Sequence, residues 1–258
     1  VEAIELSPTH MAWVLVLAAI TVGLLVWQRS GLVGSLAIAI GRMVLQLGAI
    51  GVVFSVVFAA PNSGLVLAIV GLMLSVATVI ASNRIGPKIP HMLPLVAAVL
   101  VGSTAIALGY VYLLVLSPDP WYDPQYVIPL VGLLLGGASN AAALSGERLI
   151  SLLNASRSEI ETHLSLGASP PQAIAVLQRE AVKAGSIPTI NAMLIAGAAT
   201  LPGVLSGLIL GGIDPFQAAL YQILVLVLLA FVSVITSLLM TRGIARQFFN
   251  SAQQFIPR

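Results

Sequence analysis

Glu161 stands six residues ahead of Gly167, and Ala168, Ser169 and Pro170 follow directly. They lie in the stretch Gly146 to Gly185, which holds eight of the chain's twenty charged residues. A Ser-Pro-Pro-Gln sequence is a helix start, with Ser169 as N-cap and prolines in the first turn, and Pro170 and Pro171 supply those prolines. The segment therefore predicts two short amphipathic helices around a turn, a shape suited to docking another protein rather than to bond chemistry. The remaining candidate residues sit in apolar runs: Arg42 with Gln46 one turn on, Asn140, Asn191, Gln222, and the breaker Pro202 with Gly203. Polar side chains and broken helices in apolar segments mark either a solute route or packing contacts between helices.

Other chemistries are excluded by what is missing. The chain has no cysteine, which removes disulfides, thiolate metal sites and cysteine nucleophiles. Its only lysines are Lys88 and Lys183, and no Gly-x-x-x-x-Gly-Lys-Ser/Thr sequence is present to cradle a nucleotide. His10, His91 and His163 are scattered, and no carboxylate lies in the middle of an apolar run, where gradient-driven carriers commonly keep one. No nucleophile–base pair supports a membrane enzyme. Energy for any transport is therefore expected from a partner.

Composition assigns the elements that must position these residues. Charged residues are 8% of the chain, hydrophobic ones 59%, and mean hydropathy is +1.05. A soluble domain of this size would need far more surface charge. A bilayer crossing needs about 20 apolar residues, and seven spans are predicted, near 11–28, 34–60, 64–82, 92–116, 126–145, 186–210 and 216–241. The first is a retained span rather than a signal peptide, since Glu2 and Glu5 precede it in place of a basic region. The expected fold is all-α, a single polytopic membrane domain over 1–258 with a cytoplasmic region at 146–185.

Charge sets the expected orientation. Arg29, Arg84, Lys88, Arg148, Arg157, Arg179, Lys183, Arg242, Arg246 and Arg258 fall in alternate connections and the C-terminal tail. The N-terminus and the other connections carry Glu2, Glu5, Asp119, Asp123 and Asp214 and no Lys or Arg. The positive-inside rule then places the N-terminus outside and the C-terminus in the cytoplasm, which requires an odd number of spans. Arg42 is the basic residue left over; it either snorkels to the membrane edge or lines a pathway.

Two spans carry further pattern. In the sixth, Leu201-Pro202-Gly203 should interrupt the helix, Pro202 leaving the Ala198 carbonyl without its donor and forcing a kink. Gly203, Gly207 and Gly211 recur every fourth residue, as in a groove for a packed helix. In the fifth, Gly132, Gly136 and Asn140 form a similar stripe. Asn140, Asn191 and Gln222 fit a translocation route and interhelical hydrogen bonds equally well.

These residues resemble a known family. Glu161 and Gly167 fit the coupling loop of ABC-transporter permeases, although Ile187-Pro188 comes later than in importer permeases. The chain is most similar to the seven-span FetB (YbbM-type) family, which includes bacterial iron-export permeases and plant aluminium-sensitivity proteins. That similarity rests on Arg42-Met-x-x-Gln46-Leu47, Gly146-x-Arg148-Leu149, Leu166 to Pro170, Ile187 to Asn191, Leu201-Pro202-Gly203, Ile209 to Gly212 and Tyr221-Gln222-Ile223. Where the family commonly reads Leu-Pro-Gly-Met-Met-Thr-Gly-Gln, this chain has Val204, Leu205, Ser206, Gly207 and Leu208 after the glycine, so two thioethers and an amide are absent. The resemblance implies a multi-pass permease of the bacterial inner membrane, itself without cofactor or ATP site. It would act as a homodimer with two copies of a separate cytoplasmic ATPase that binds ATP and Mg²⁺. The implied function is export of a metal ion such as iron; a lipid or sugar nucleotide, or a self-sufficient carrier or channel, are the alternatives.

Overall fold

The computed structural model describes residues 8–29, 31–59, 62–86, 89, 91–116, 120–250 and 252–256. Glu2, Glu5, Lys88, Asp119 and Arg258, which entered the charge argument, lie outside the described residues. The chain divides into two units, Val1–Pro61 and Asn62–Arg258.

In the first unit, α1 (Pro8–Trp27) packs against α2 (Val33–Ala59). Both helices are apolar nearly all round, and large side chains such as Leu17, Ile38, Leu45 and Leu47 are exposed. A helix that is hydrophobic all round belongs in a bilayer or a large core. Arg42 and Gln46 are exposed on α2, Arg42 being its tenth residue.

The second unit contains α3 (Ser63–Ile85), α4 (Met92–Val111, continued by a π-helical turn to Leu116), α5 (Pro124–Ala155), α6 (Arg157–Ser165), α7 (Pro170–Ala173), α8 (Ala175–Ile195), α9 (Gly203–Leu210) and α10 (Pro215–Gln247). The two longest helices begin with the same device. Asp123 accepts from the Gln125 N–H at 2.9 Å, Asp214 accepts from Phe216 and Gln217 at 3.1 and 3.2 Å, and a proline opens each first turn. Such caps contribute ~1 kcal/mol each. α5 and α10 pack on one another and on α4 and α8, α3 covers α5, and α9 lies on α10. Leu134, Ala138 and Ala142 of α5 meet Val232, Met240 and Ile244 of α10 in the buried core.

Six of the seven predicted spans are helices long and apolar enough to cross a bilayer. The remaining one, the sixth, differs. In place of one helix over 186–210, α8 begins eleven residues earlier and ends at Ile195, and α9 starts only at Gly203. The chain between turns on Gly197 at φ +78° and approaches α9 with Pro202 extended, at ψ 150°. The expected kink at Pro202 is thus a full break, and Ala198 lies in the turn rather than in a helix. Because Gly197 and the extended Ala196 set this break as much as Pro202, a change at Pro202 alone leaves it in place.

The broken segment still runs the length of α10. Thr189 meets Ser233 at 2.9 Å, and the Leu205 N–H donates to Gln222 at 3.0 Å. Sixteen residues separate the first members of these pairs and eleven the second, so the break takes up about five residues beyond a continuous helix. The predicted polar loop 146–185 is likewise more helical than expected. α5 carries on to Ala155, and α8 extends from Ala175 through Gly185 without interruption.

A reporter inserted at Pro120 is expected to read outside and one fused after Arg258 cytoplasm, because the basic connections alternate. A cytoplasmic reading at Pro120 would remove the orientation.

Candidate functional site

α8 meets α5 and α10 most closely at Gly185. A Cβ there would lie 2.8 Å from the Ala141 carbonyl and 3.0 Å from the Ser145 Cβ, and would collide with the Ser237 hydroxyl. Only glycine lets three backbones converge in this way. Hydroxyls line the seam on both sides of that point. Thr189 and Ser233 share a hydrogen bond at 2.9 Å, and Thr236 donates to Ser103 of α4 at 2.9 Å. Ser145 and Ser186 turn back to carbonyls of their own helices at 2.7 and 2.9 Å. The Ser237 hydroxyl is buried and has no hydrogen-bond partner.

Beyond the crossing, towards the break, the three helices part around a cavity of about 410 Å³. Gly132, Gly136 and Asn140 line its α5 wall, Pro188, Thr189 and Ala192 its α8 wall, and Leu226 and Leu229 its α10 wall. Pro188 lies inside α8, so the Ala184 carbonyl lacks its helical donor. The Asn140 amide oxygen accepts from Arg84 Nη1 at 3.2 Å, and Arg84 also stands 3.9 Å from Glu147. The wall thus offers an amide and a hydroxyl on an apolar ground. Among the described residues no three His, Cys, Asp or Glu side chains cluster to hold a metal.

At the other end, α5 and α8 carry the polar region outward. Arg148 of α5 pairs with Glu180 of α8 at 3.2 Å, fastening the two extensions together. α6 follows, with Glu161 paired to Arg157 at 2.8 Å, and then a turn at Leu166 and Gly167. Gly167 has φ +89° and no neighbour within reach of a Cβ, so its backbone conformation, not crowding, calls for glycine. Ala168 donates to the His163 carbonyl at 3.0 Å. Ser169 caps α7, its N–H and hydroxyl both donating to Gln172 Oε1 at 2.8 and 2.9 Å, and Pro170 opens the helix as expected.

The turn stands on a firm base. Ile160 and Ile174 are fully buried in the cluster that holds Leu149, Leu153 and Phe248. Past α10 the chain folds into a small hairpin in which Phe255 stacks on Phe248 at 6.0 Å and Ile256 donates to the Phe248 carbonyl at 2.8 Å. Gln253, Gln254 and Phe255 of that hairpin face Glu161, Gly167, Ala168 and Ser169 across an open recess of about 840 Å³. Leu166, at the tip, leaves 81% of its surface exposed.

Residues 8–249 match the family model described as "Uncharacterised protein family (UPF0014)". The chain belongs to the UPF0014 family. It is 43% identical over 253 residues to "UPF0014 membrane protein slr1647" of Synechocystis, covering 98% of both chains. It is 32% identical over 218 residues to "Probable iron export permease protein FetB" of Escherichia coli, covering 84% of this chain and 83% of that one. To "Protein ALUMINUM SENSITIVE 3" of Arabidopsis thaliana it is 29% identical over 227 residues, 88% and 82% of the two chains. No solved structure matches it. Like these relatives it is a multi-pass membrane protein.

In this UPF0014 chain the candidate residues fall into separate groups. Glu161, Gly167, Ala168 and Ser169 share one recess, with Pro170 next to them. Asn140 and Asn191 are both exposed, but only Asn140 lines the cavity. Gln222 is buried and spends its amide oxygen on Leu205, fastening α9 to α10. Pro202 and Gly203 open α9, and Arg42 and Gln46 belong to the first unit. The glycine stripe of α9 has no partner helix here, since a Cβ on Gly203 or Gly207 meets nothing within 4 Å.

The sequence reading missed Gly185, Thr189 paired with Ser233, and Pro188 as a cavity wall. Their signal was the run Ala184-Gly185-Ser186, small residues in a stretch that has no charge after Lys183. Two glycine substitutions check the crossing by melting temperature in detergent. Gly185→Ala should cost ~1–3 kcal/mol by forcing the helices apart. Gly207→Ala, in open space, should be neutral or stabilise by up to ~1 kcal/mol. Equal effects would mean that α8 does not need its close approach.

Proposed function

We propose that this chain is the permease subunit of an ATP-driven exporter, working as a homodimer with two copies of a separate cytoplasmic ATPase. The observation that carries this reading is mechanical. A recess built from Glu161, Gly167, Ala168 and Ser169 lies between α6, α7 and the C-terminal hairpin; α6 packs on α5 and α7 on α8, and α5 and α8 run without a break to the cavity at Asn140 and Pro188. A push at the turn would be delivered to the cavity walls through helices stapled by Arg148 and Glu180. Leu166 and the Gly167 turn offer an exposed contact that a docking partner would cover.

Opening of the two sides would alternate about the Gly185 crossing, with the break between α8 and α9 as the yielding element beyond it. The C-terminal, basic end would face the cytoplasm. The bacterial relative is named a probable iron export permease, which makes a metal ion the first solute to test. The Asn140 amide and the Thr189 hydroxyl on the cavity wall are hard oxygen donors, suited to a cation that keeps most of its water rather than to a soft ion in a closed cage.

The test is transport by proteoliposomes holding permease and ATPase, loaded with a panel of divalent metals and with a lipid-flipping control. Metal movement that depends on ATP is expected. In the same vesicles Leu166→Glu should lower transport and ATPase stimulation ~10-fold or more, the scale of losing one interface anchor. Its melting temperature should stay that of the wild type, because the side chain is exposed. Transport without ATP would favour a self-sufficient carrier, and full activity in the Leu166 variant would move the docking surface elsewhere.

A further inference from the structure

A second open cavity, about 400 Å³, lies between α8 and α10 on the face turned away from Glu180. Arg179 and Lys183, one turn apart on α8, and Arg242 of α10 line it together with Val182 and Leu238. Among the described residues none of these three cations has an ion-pair partner. Glu180, the carboxylate between them in sequence, is already engaged by Arg148 at 3.2 Å. The hydroxyls on the wall add little, since Ser186 and Thr241 donate to carbonyls of their own helices at 2.9 and 2.8 Å. Recognition here would come from charge.

The level of the cavity identifies the occupant. α8 carries no charged residue from Ala184 to its end, and α10 none from Pro215 to Thr241. Both helices turn basic at the same height, just past the point where Gly185 meets Ser237. Lys183 and Arg242 therefore stand where the apolar slab ends, with Val182 and Leu238 on the same wall. A ligand that presents an anion at headgroup depth and a hydrocarbon tail beside it fits both halves. Basic recesses between spanning helices at that depth bind acidic lipid headgroups.

We propose that the recess formed by Arg179, Lys183 and Arg242 is a binding site for the phosphate of an anionic phospholipid. The site depends on the helices' membrane placement and not on the ATPase reading. Lipid held there would bridge α8 to α10 and so stiffen the crossing below the solute cavity.

Native mass spectrometry of the full chain in detergent, titrated with phosphatidylglycerol and with phosphatidylcholine, tests this. The wild type should retain phosphatidylglycerol preferentially. Arg179→Ala with Lys183→Ala should weaken that retention about thirtyfold, at the typical contribution of each basic group near a lipid surface. Arg246→Ala, an exposed cation outside the recess, should leave it unchanged, and Arg179→Lys with Lys183→Arg should keep it. Millimolar inorganic phosphate should not displace the lipid. Equal retention of the two lipids, or an equal loss from Arg246→Ala, would overturn the site. Loss in the charge-keeping variant would show that shape and not charge matters, and would also overturn it. Displacement by inorganic phosphate would assign the recess to the free anion instead. If the double alanine variant keeps its lipid but loses the ATPase, the cations serve partner docking and the lipid site falls, whereas loss of lipid with the ATPase retained supports it.

Discussion

Inside hydrocarbon an unpaired backbone amide costs several kcal/mol, so a chain can leave the helix at membrane depth only where it supplies replacement partners. The segment from Ala196 to Pro202 answers much of that demand on its donors within itself. The Ile195 carbonyl accepts the N–H groups of Ala198, Ala199 and Thr200 at 3.3, 3.0 and 3.1 Å, and Gly197 donates to the Thr200 carbonyl at 2.8 Å. Pro202 has no donor to satisfy. Gln222, the buried amide of α10, receives the Leu205 N–H in the first turn of α9, where no helical acceptor exists. These bonds give the break a defined backbone conformation, held against α10 at Gln222.

The rest of the second unit follows from having one broken helix beside two long intact ones. α5 and α10, at 32 and 33 residues, are each close to 50 Å long, more than a bilayer core needs. The excess emerges at the end where Arg148, Glu180 and Arg242 lie, and there it forms the base for α6, α7 and the C-terminal hairpin. Gly185 sits between that base and the cavity. A shift of α8 against α5 and α10 at this height meets the Ala141 carbonyl, the Ser145 Cβ and the Ser237 hydroxyl directly, and close packing leaves little slack to absorb it. The unpartnered Ser237 hydroxyl lies at the same point, as a polar group that a small rotation of α8 could reach.

How much of this was legible in the sequence depended on the kind of signal. Apolar run length placed six of the seven expected spans on helices, α5 and α10 among them, because that signal is local and additive, while the Asp123-Pro124 and Asp214-Pro215 starts that cap those two helices went unread. Ser169 as a cap and the turn at Gly167 were equally local. The sixth span was harder. Leu201-Pro202-Gly203 marked a breaker, but a proline in sequence does not tell a kink from a seven-residue gap. That difference is decided by Gly197 and by the acceptor offered from α10. Glycine spacing also misled, for the regular stripe at Gly203, Gly207 and Gly211 is open in this chain while the unrepeated Gly185 makes the close contact. Periodicity reports that a face is smooth, not that a helix lies on it.

The candidate amides show the same limit from another side. Asn140, Asn191 and Gln222 are alike in type and each lies in an apolar run, yet one lines a cavity, one is exposed outside it and one is consumed by a backbone N–H. The partner chosen by Asn140 is Arg84, fifty-six residues away, whose own second contact is Glu147, about two turns beyond Asn140 on α5. This triad joins the end of α3 to the cavity wall at the depth where α5 begins its polar extension. A cation approaching Asn140 from that end would have to compete with a guanidinium already in place, so the Arg84 contact disfavours cation entry there while leaving the Thr189 side of the cavity open. Arg84 with Asn140 thus makes the two ends of the cavity electrostatically unlike, a guanidinium at one and the paired Thr189 and Ser233 hydroxyls at the other, with no carboxylate on its walls.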